Sequence, residues 1–153
     1  MSQWSLALKD ALKGALVDLP AASDGTEIQH ITGSGEDAFD HYPTIRVVPA
    51  GITRNYNSDS QYIDYEVDFV ISTYFDIGSG IVPSEAVINT LLEFNDIILD
   101  RLDGTDWLPE STKSSKYSLM ENAVSGVIDT TPSKTGTAVF SDIRYPIRYR
   151  TVL

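Results

Sequence analysis

Residues 62–76 alternate in character. Ile63, Tyr65, Val67, Phe69, Ile71, Thr73 and Phe75 fall on one parity; Tyr62, Asp64, Glu66, Asp68, Val70, Ser72, Tyr74 and Asp76 fall on the other. A period of two in β-branched and aromatic residues predicts a strand with one apolar and one polar face. Residues 44–54, TIRVVPAGITR, predict a second strand, interrupted at Pro49-Ala50-Gly51. The polar turn 55–60, NYNSDS, joins the two into a long hairpin. The chain closes in TAVFSDIRYPIRYRTVL, with Val139, Ile143, Tyr145, Ile147 and Tyr149 on one face and Asp142, Arg144, Arg148 and Arg150 on the other. Pro146 removes one ladder donor there, which predicts an edge position or a bulge.

The period changes elsewhere. Leu8, Leu12, Ala15, Leu16 and Leu19 recur at helical spacing and predict an amphipathic helix over 4–19, with Ser5 as a candidate cap and Pro20 beyond its end. A second helix opens at Pro83-Ser84-Glu85. Its core stripe is Ile88, Leu91, Leu92, Ile98, Leu99 and Leu102, widened by Val87, Phe94 and Ile97, and Gly104 ends it. Residues 21–42 are rich in Gly, Ser and Asp and predict a flexible loop, with a short strand at 26–31. Residues 76–81 and 105–116 predict loops, 117–129 a weaker strand region broken by Gly126, and 130–136 a turn. The order helix, strands, helix, strands predicts a single α+β domain over 1–153: an antiparallel sheet with a long hairpin, flanked by two main helices.

Charge alters this picture more than composition does. The 153 residues are 42% hydrophobic, ordinary for one domain with a core, but 11 basic residues face 22 acidic ones, a net −11. Such a surface repels phosphate, which argues against tight nucleic-acid binding. Without cysteine there is no disulfide framework, thiolate metal site or thiol nucleophile. The first twenty residues lack a basic stretch followed by a long apolar run, so no signal peptide is expected, nor any membrane span. The expectation is a soluble protein made in a cytoplasm.

Asp64, Glu66 and Asp68 stand in a row, with same-side neighbours about 7 Å apart. That is too far for two adjacent acids to grip one small cation at roughly 2.0–2.6 Å. Arg144, Arg148 and Arg150 form a matching row on the last strand. If the strands are neighbours, the two rows pair across the sheet at about 0.2–1 kcal/mol per pair. Otherwise the charged faces meet between subunits, or the acids line a surface that DNA avoids.

Motifs for chemistry are missing. There is no P-loop, GxGxxG or HExxH, and the glycine runs at 33–37 and 78–80 lack the strand–glycine–helix context of a phosphate cradle. His30 and His41 lie in or beside the loop and read as surface histidines; no serine is flagged as activated. The acidic run 36–40 lacks EF-hand spacing and reads as a solvated loop. No catalytic, metal or cofactor site is expected. The enzyme alternative is a metal-assisted hydrolase using Asp64, Glu66 or Asp68 with His41, and the spacing of the acids opposes it.

The succession of the first helix, YPTIRVVPAGITRNYNSDSQYIDYEVDFVISTYFD, VPSEAVINTLLEFNDIILDRLDG and the closing IRYRTVL resembles the tail terminator (tail-completion) proteins of tailed bacteriophages. The likeness covers roughly residues 4–153 and rests on spacing and residue type. It implies a virion protein of the tail or neck, assembled in the host cytoplasm as a ring, most often a hexamer, with the sheet around a central channel. Such a ring caps the tail tube, ends its polymerisation and meets the neck or connector, and DNA passes through without specific binding. No cofactor and no membrane are implied. A head–tail joining (neck) protein or a tail-tube ring protein is the alternative within the same class. Asn55, Tyr56, Asn57, Ser58, Asp59 and Ser60 are then the candidate contact to a neighbouring subunit or ring. Asp64, Glu66, Asp68, Arg144, Arg148 and Arg150 are the candidate charge ladder or channel lining.

Overall fold

The computed structural model describes residues 4–56, 62–79, 82–103, 106–109, 117–119, 124–125 and 128–152. In chain order the elements are α1 (Trp4–Ala15), β1 (His30–Thr32), β2 (Thr44–Tyr56), β3 (Tyr62–Gly78), α2 (Glu85–Leu102), β4 (Tyr117–Leu119), β5 (Val124–Ser125), β6 (Asp129–Ser133) and β7 (Gly136–Val152). The fold is α+β. Among the described residues seven strands form one sheet in the order β1-β2-β3-β7, with β4, β5 and β6 all on the far side of β7. Every pairing is antiparallel except β1 with β2, which is parallel.

The alternation read from residues 62–76 sorts the two faces of the sheet. Ile63, Val67, Phe69 and Ile71 of β3, Ile45 and Val47 of β2, and Ile143, Tyr145 and Ile147 of β7 are buried in one cluster with Leu8 and Leu12 of α1, Leu16 just beyond it, and Ile98 and Leu102 of α2. Both helices therefore cover the same face. Burying each such side chain contributes about 1.5–3 kcal/mol, so this layer is the main source of stability.

β2 is one strand rather than two. Pro49 pairs with Phe69 and Gly51 with Asp68, so Ala50 is an extra residue in a β-bulge. The bulge resets the parity, and Ile52 and Arg54 fall opposite Val67 and Tyr65 on the helix-covered side. Pro146 marks neither an edge nor a bulge. β7 is central, bonded to β3 through Pro146↔Asp68, and on its other side Pro146 falls between the β5 partner Arg144 and the β4 partner Ile147. Among the described residues neither β4 nor β5 pairs with that position, so the missing donor costs no ladder bond to them.

The first helix is shorter than its apolar spacing predicts, and the second has the predicted bounds. α1 begins at Trp4, so Ser5 lies inside it, and it ends at Ala15. Leu16 and Val17 then bond three residues back, and Asp18 takes a left-handed conformation at φ 59°. Arg101 of α2 explains the early stop: its guanidinium donates to the carbonyls of Ala15, Val17 and Asp18 at 3.0, 3.1 and 3.2 Å, satisfying groups left open at the helix end. α2 is capped by Ser84, whose hydroxyl accepts from the Val87 amide. At its other end the Leu102 carbonyl accepts from Tyr145 and Trp107 at 3.0 and 3.3 Å. The buried stripe of α2 is Thr90, Leu91, Phe94, Asn95, Ile98 and Leu102. Leu92, predicted to be core, is 49% exposed. Gly104 lies outside the described residues.

Two loop assignments also shift. The short strand is His30–Thr32 instead of 26–31, placed by parallel pairing with Thr44–Arg46. β3 runs on to Gly78, where Asp76 Oδ1 accepts from the Gly78 amide, and β6 takes up much of the predicted turn at 130–136.

Candidate functional site

The sheet face away from the helices divides into two halves. At the end where β2 and β7 begin, an aromatic cluster covers it: Phe39 packs edge-on against Tyr42 and Tyr74, and Tyr74 stacks on Phe140 at 5.2 Å. Phe39 and Tyr42 come from the segment 21–42, which is tied down along its length. Ser23 donates twice to Glu93, Asp24 accepts from Thr90, the Gly35 and Glu36 carbonyls accept from Arg46, Asp37 accepts from Thr131, and Lys134 pairs with Asp40. The Lys134 ammonium holds the Asp40 carboxyl below its usual range. Burial pushes the Tyr74 phenol up, opposed by Arg46, which lies over its ring at 5.4 Å.

Beyond this cover the face is polar, and the register sets out its charges. Across β2, β3 and β7 the rows read Arg46–Ser72–Asp142, Val48–Val70–Arg144, Gly51–Asp68–Pro146, Thr53–Glu66–Arg148 and Asn55–Asp64–Arg150. Glu66 and Arg148 form an ion pair at 3.4 Å, with side chains 23% and 50% exposed. Asp64 is the register partner of Arg150. Asp142 accepts from the fully buried Ser72 hydroxyl. Asp68 and Arg144 stand exposed opposite Pro146 and Val70. These rows hold four acidic positions and four arginine positions, so the face is close to neutral. The excess of eleven negative charges lies elsewhere, in part on α2 and its C-cap, which turn Glu85, Asp96, Asp100 and Asp103 to solvent.

The acid row and His41 do not meet. His41 is anchored by its carbonyl to the Thr44 hydroxyl, and Thr44 pairs with Tyr74. Tyr74 lies six residues along β3 from Asp68, roughly 20 Å at the rise of a strand. Both histidines instead border one cleft of about 210 Å³ with Glu36, Asp40 and Lys134. Among the described residues no three His, Asp or Glu side chains are grouped as metal ligands. No helix of the described residues is long and apolar enough to cross a membrane.

Of the candidate contact residues, Asn55 and Tyr56 are the last of β2, paired with Asp64 and Ile63; Asn57, Ser58, Asp59 and Ser60 lie outside the described residues. The hairpin does not stand alone, because β7 accompanies it as far as Tyr62↔Val152. Sequence reasoning missed Arg46, Ser72 and Asp142 as a row. The signal was present, since Arg46 and Asp142 each sit on the polar parity of their own strands. No protein-family model and no curated protein matches this chain.

Proposed function

We propose that this chain is a structural ring protein of a phage tail or neck, of the tail terminator kind, that caps the tail tube and lets DNA pass. The observation that carries the reading is the sheet itself. β2, β3 and β7 run together for most of their length, with both helices on one face and a charged, uncovered half on the other. The outer edge of β2 beyond Arg46 has no strand partner among the described residues, and a long open edge is a surface that a neighbouring subunit covers.

The charge layout refines the channel role. Lysines and arginines that contact phosphate strengthen DNA binding by counterion release, and several together make a conduit adhesive. Here Arg46, Arg148 and Arg150 share their rows with Asp142, Glu66 and Asp64, and Arg144 and Asp68, in neighbouring rows, offset each other in number, so a polyanion passing that face meets little net charge. Glu66 pairs with Arg148 and Asp64 stands opposite Arg150, whereas Asp68 stands opposite Pro146; together the three acids offset the arginines of the face and so serve the channel as well. Native mass spectrometry tests the assembly: closed rings of one size support the reading. A chain that stays monomeric both alone and with tail tubes contradicts it.

A further inference from the structure

A polar patch interrupts the apolar layer beneath α2. Asn95 is 3% exposed there, and Thr73 and Ser141 are fully buried. Thr73 and Ser141 are register partners on β3 and β7, so their side chains are neighbours on the helix-facing side. Asn95 Nδ2 donates to Ser141 Oγ at 2.8 Å. Asn95 Oδ1 and Thr73 Oγ1 have no partner. An unpaired buried group of this kind is destabilising, and apolar residues of similar size would fill the layer without that cost.

We infer that this cluster is a binding site for one internal water molecule. The hydrogen-bond inventory balances. The water donates to Asn95 Oδ1, whose carbonyl only accepts. It accepts from the Thr73 hydroxyl. Ser141 Oγ already accepts from Asn95, so its own proton is available as a third contact. About three partners is the usual complement of a buried water. Either orientation of the Asn95 amide leaves one amide atom for the water, because Ser141 engages only the other. The bound water ties α2 to both central strands at once, at a point where the neighbouring contacts of Leu91, Phe94 and Ile98 are apolar and set no register. This inference is independent of the proposed assembly role.

The test is a crystal structure of the unaltered chain at a resolution that orders water, together with magnetisation transfer from water to the Asn95 side-chain amide in solution. The expected result is a fully occupied peak within about 3 Å of Thr73 Oγ1 and of the free Asn95 amide atom. A long-lived transfer signal should accompany it and disappear in Thr73→Val. Thr73→Val and Asn95→Leu should each lower the folding equilibrium constant about tenfold, and the double variant should lose less than the product of the two. A direct Thr73–Asn95 hydrogen bond, or a dry site without transfer, would overturn the inference. Purely multiplicative losses would do the same, even if the variants remain folded.

Discussion

Asp76 shows how one side chain closes a sheet. Its carboxylate accepts from the Gly78 amide at 2.9 Å, from the Ser133 hydroxyl at 3.1 Å and from the Thr135 hydroxyl, joining the end of β3 to the β6–β7 turn. Next to it Gly136 has φ +145°, and a Cβ there would lie 2.1 Å from the Gly78 carbonyl oxygen, so only glycine fits. The Thr135 bond, with the Gly78 and Ser133 bonds, holds the Asp76 carboxyl below the ordinary 3.8. A depressed carboxyl adds stability that is present above its unfolded pKa and is lost as pH falls through its folded one. Thermal unfolding should therefore show stability falling below about pH 3.8, and Asp76→Asn should cost about 1–2 kcal/mol at neutral pH and blunt that fall. Tyr145 works at the other end of the scale. Burial, assisted by the charge of Asp103, pushes its phenol up to about 12. Its stability contribution is complete below an unfolded pKa near 10 and is lost as pH rises toward 12. Tyr145→Phe removes the bond to the Leu102 carbonyl and should cost about 1 kcal/mol at pH 7. Alkaline unfolding of that variant, followed by circular dichroism, should be flatter between pH 10 and 12 than that of the unaltered chain.

Among the elements, the charged rows of β3 and β7 give the clearest outcome. Glu66 and Arg148 are directly opposed, but Arg148 is half exposed, so solvent screens the pair. Glu66→Gln should lower stability by no more than about 1 kcal/mol in denaturant titration, and the loss should shrink in high salt. An unchanged or raised stability would show that the row is not held by pairing. These strands were legible in the sequence because a period of two leaves little choice once one face is apolar. The cover over Tyr74 was not legible. Phe39 and Tyr42 are isolated aromatics in a segment of Gly, Ser and Asp, with no period to reveal that they pack on a strand. A clue lay in β3, where the polar parity passes from Asp64, Glu66 and Asp68 to Val70, Ser72 and Tyr74, residues suited to burial on both faces. The parallel β1 was missed by position because three residues are too few to show a period. The α1 terminus depends on Arg101, 86 residues distant from Ala15, a contact that no local pattern contains. Of the candidate site, the two charged rows were legible, whereas their alignment needed the register.

For the whole molecule, the layout is a layer of two helices on one face of a long sheet, a charged half with acids and arginines in equal number on the other, and acidic residues on the outside of α2. In the proposed assembly, a ring of such subunits would cap a tube by shape and contact area. The most direct measurement is electron microscopy of the purified chain incubated with polymerised tail-tube protein. The expected image is a closed ring, sixfold in projection, seated on one end of each tube, with tube length fixed from the moment it binds. Bare tube ends, or this chain itself extending into tubes, would contradict the terminator role.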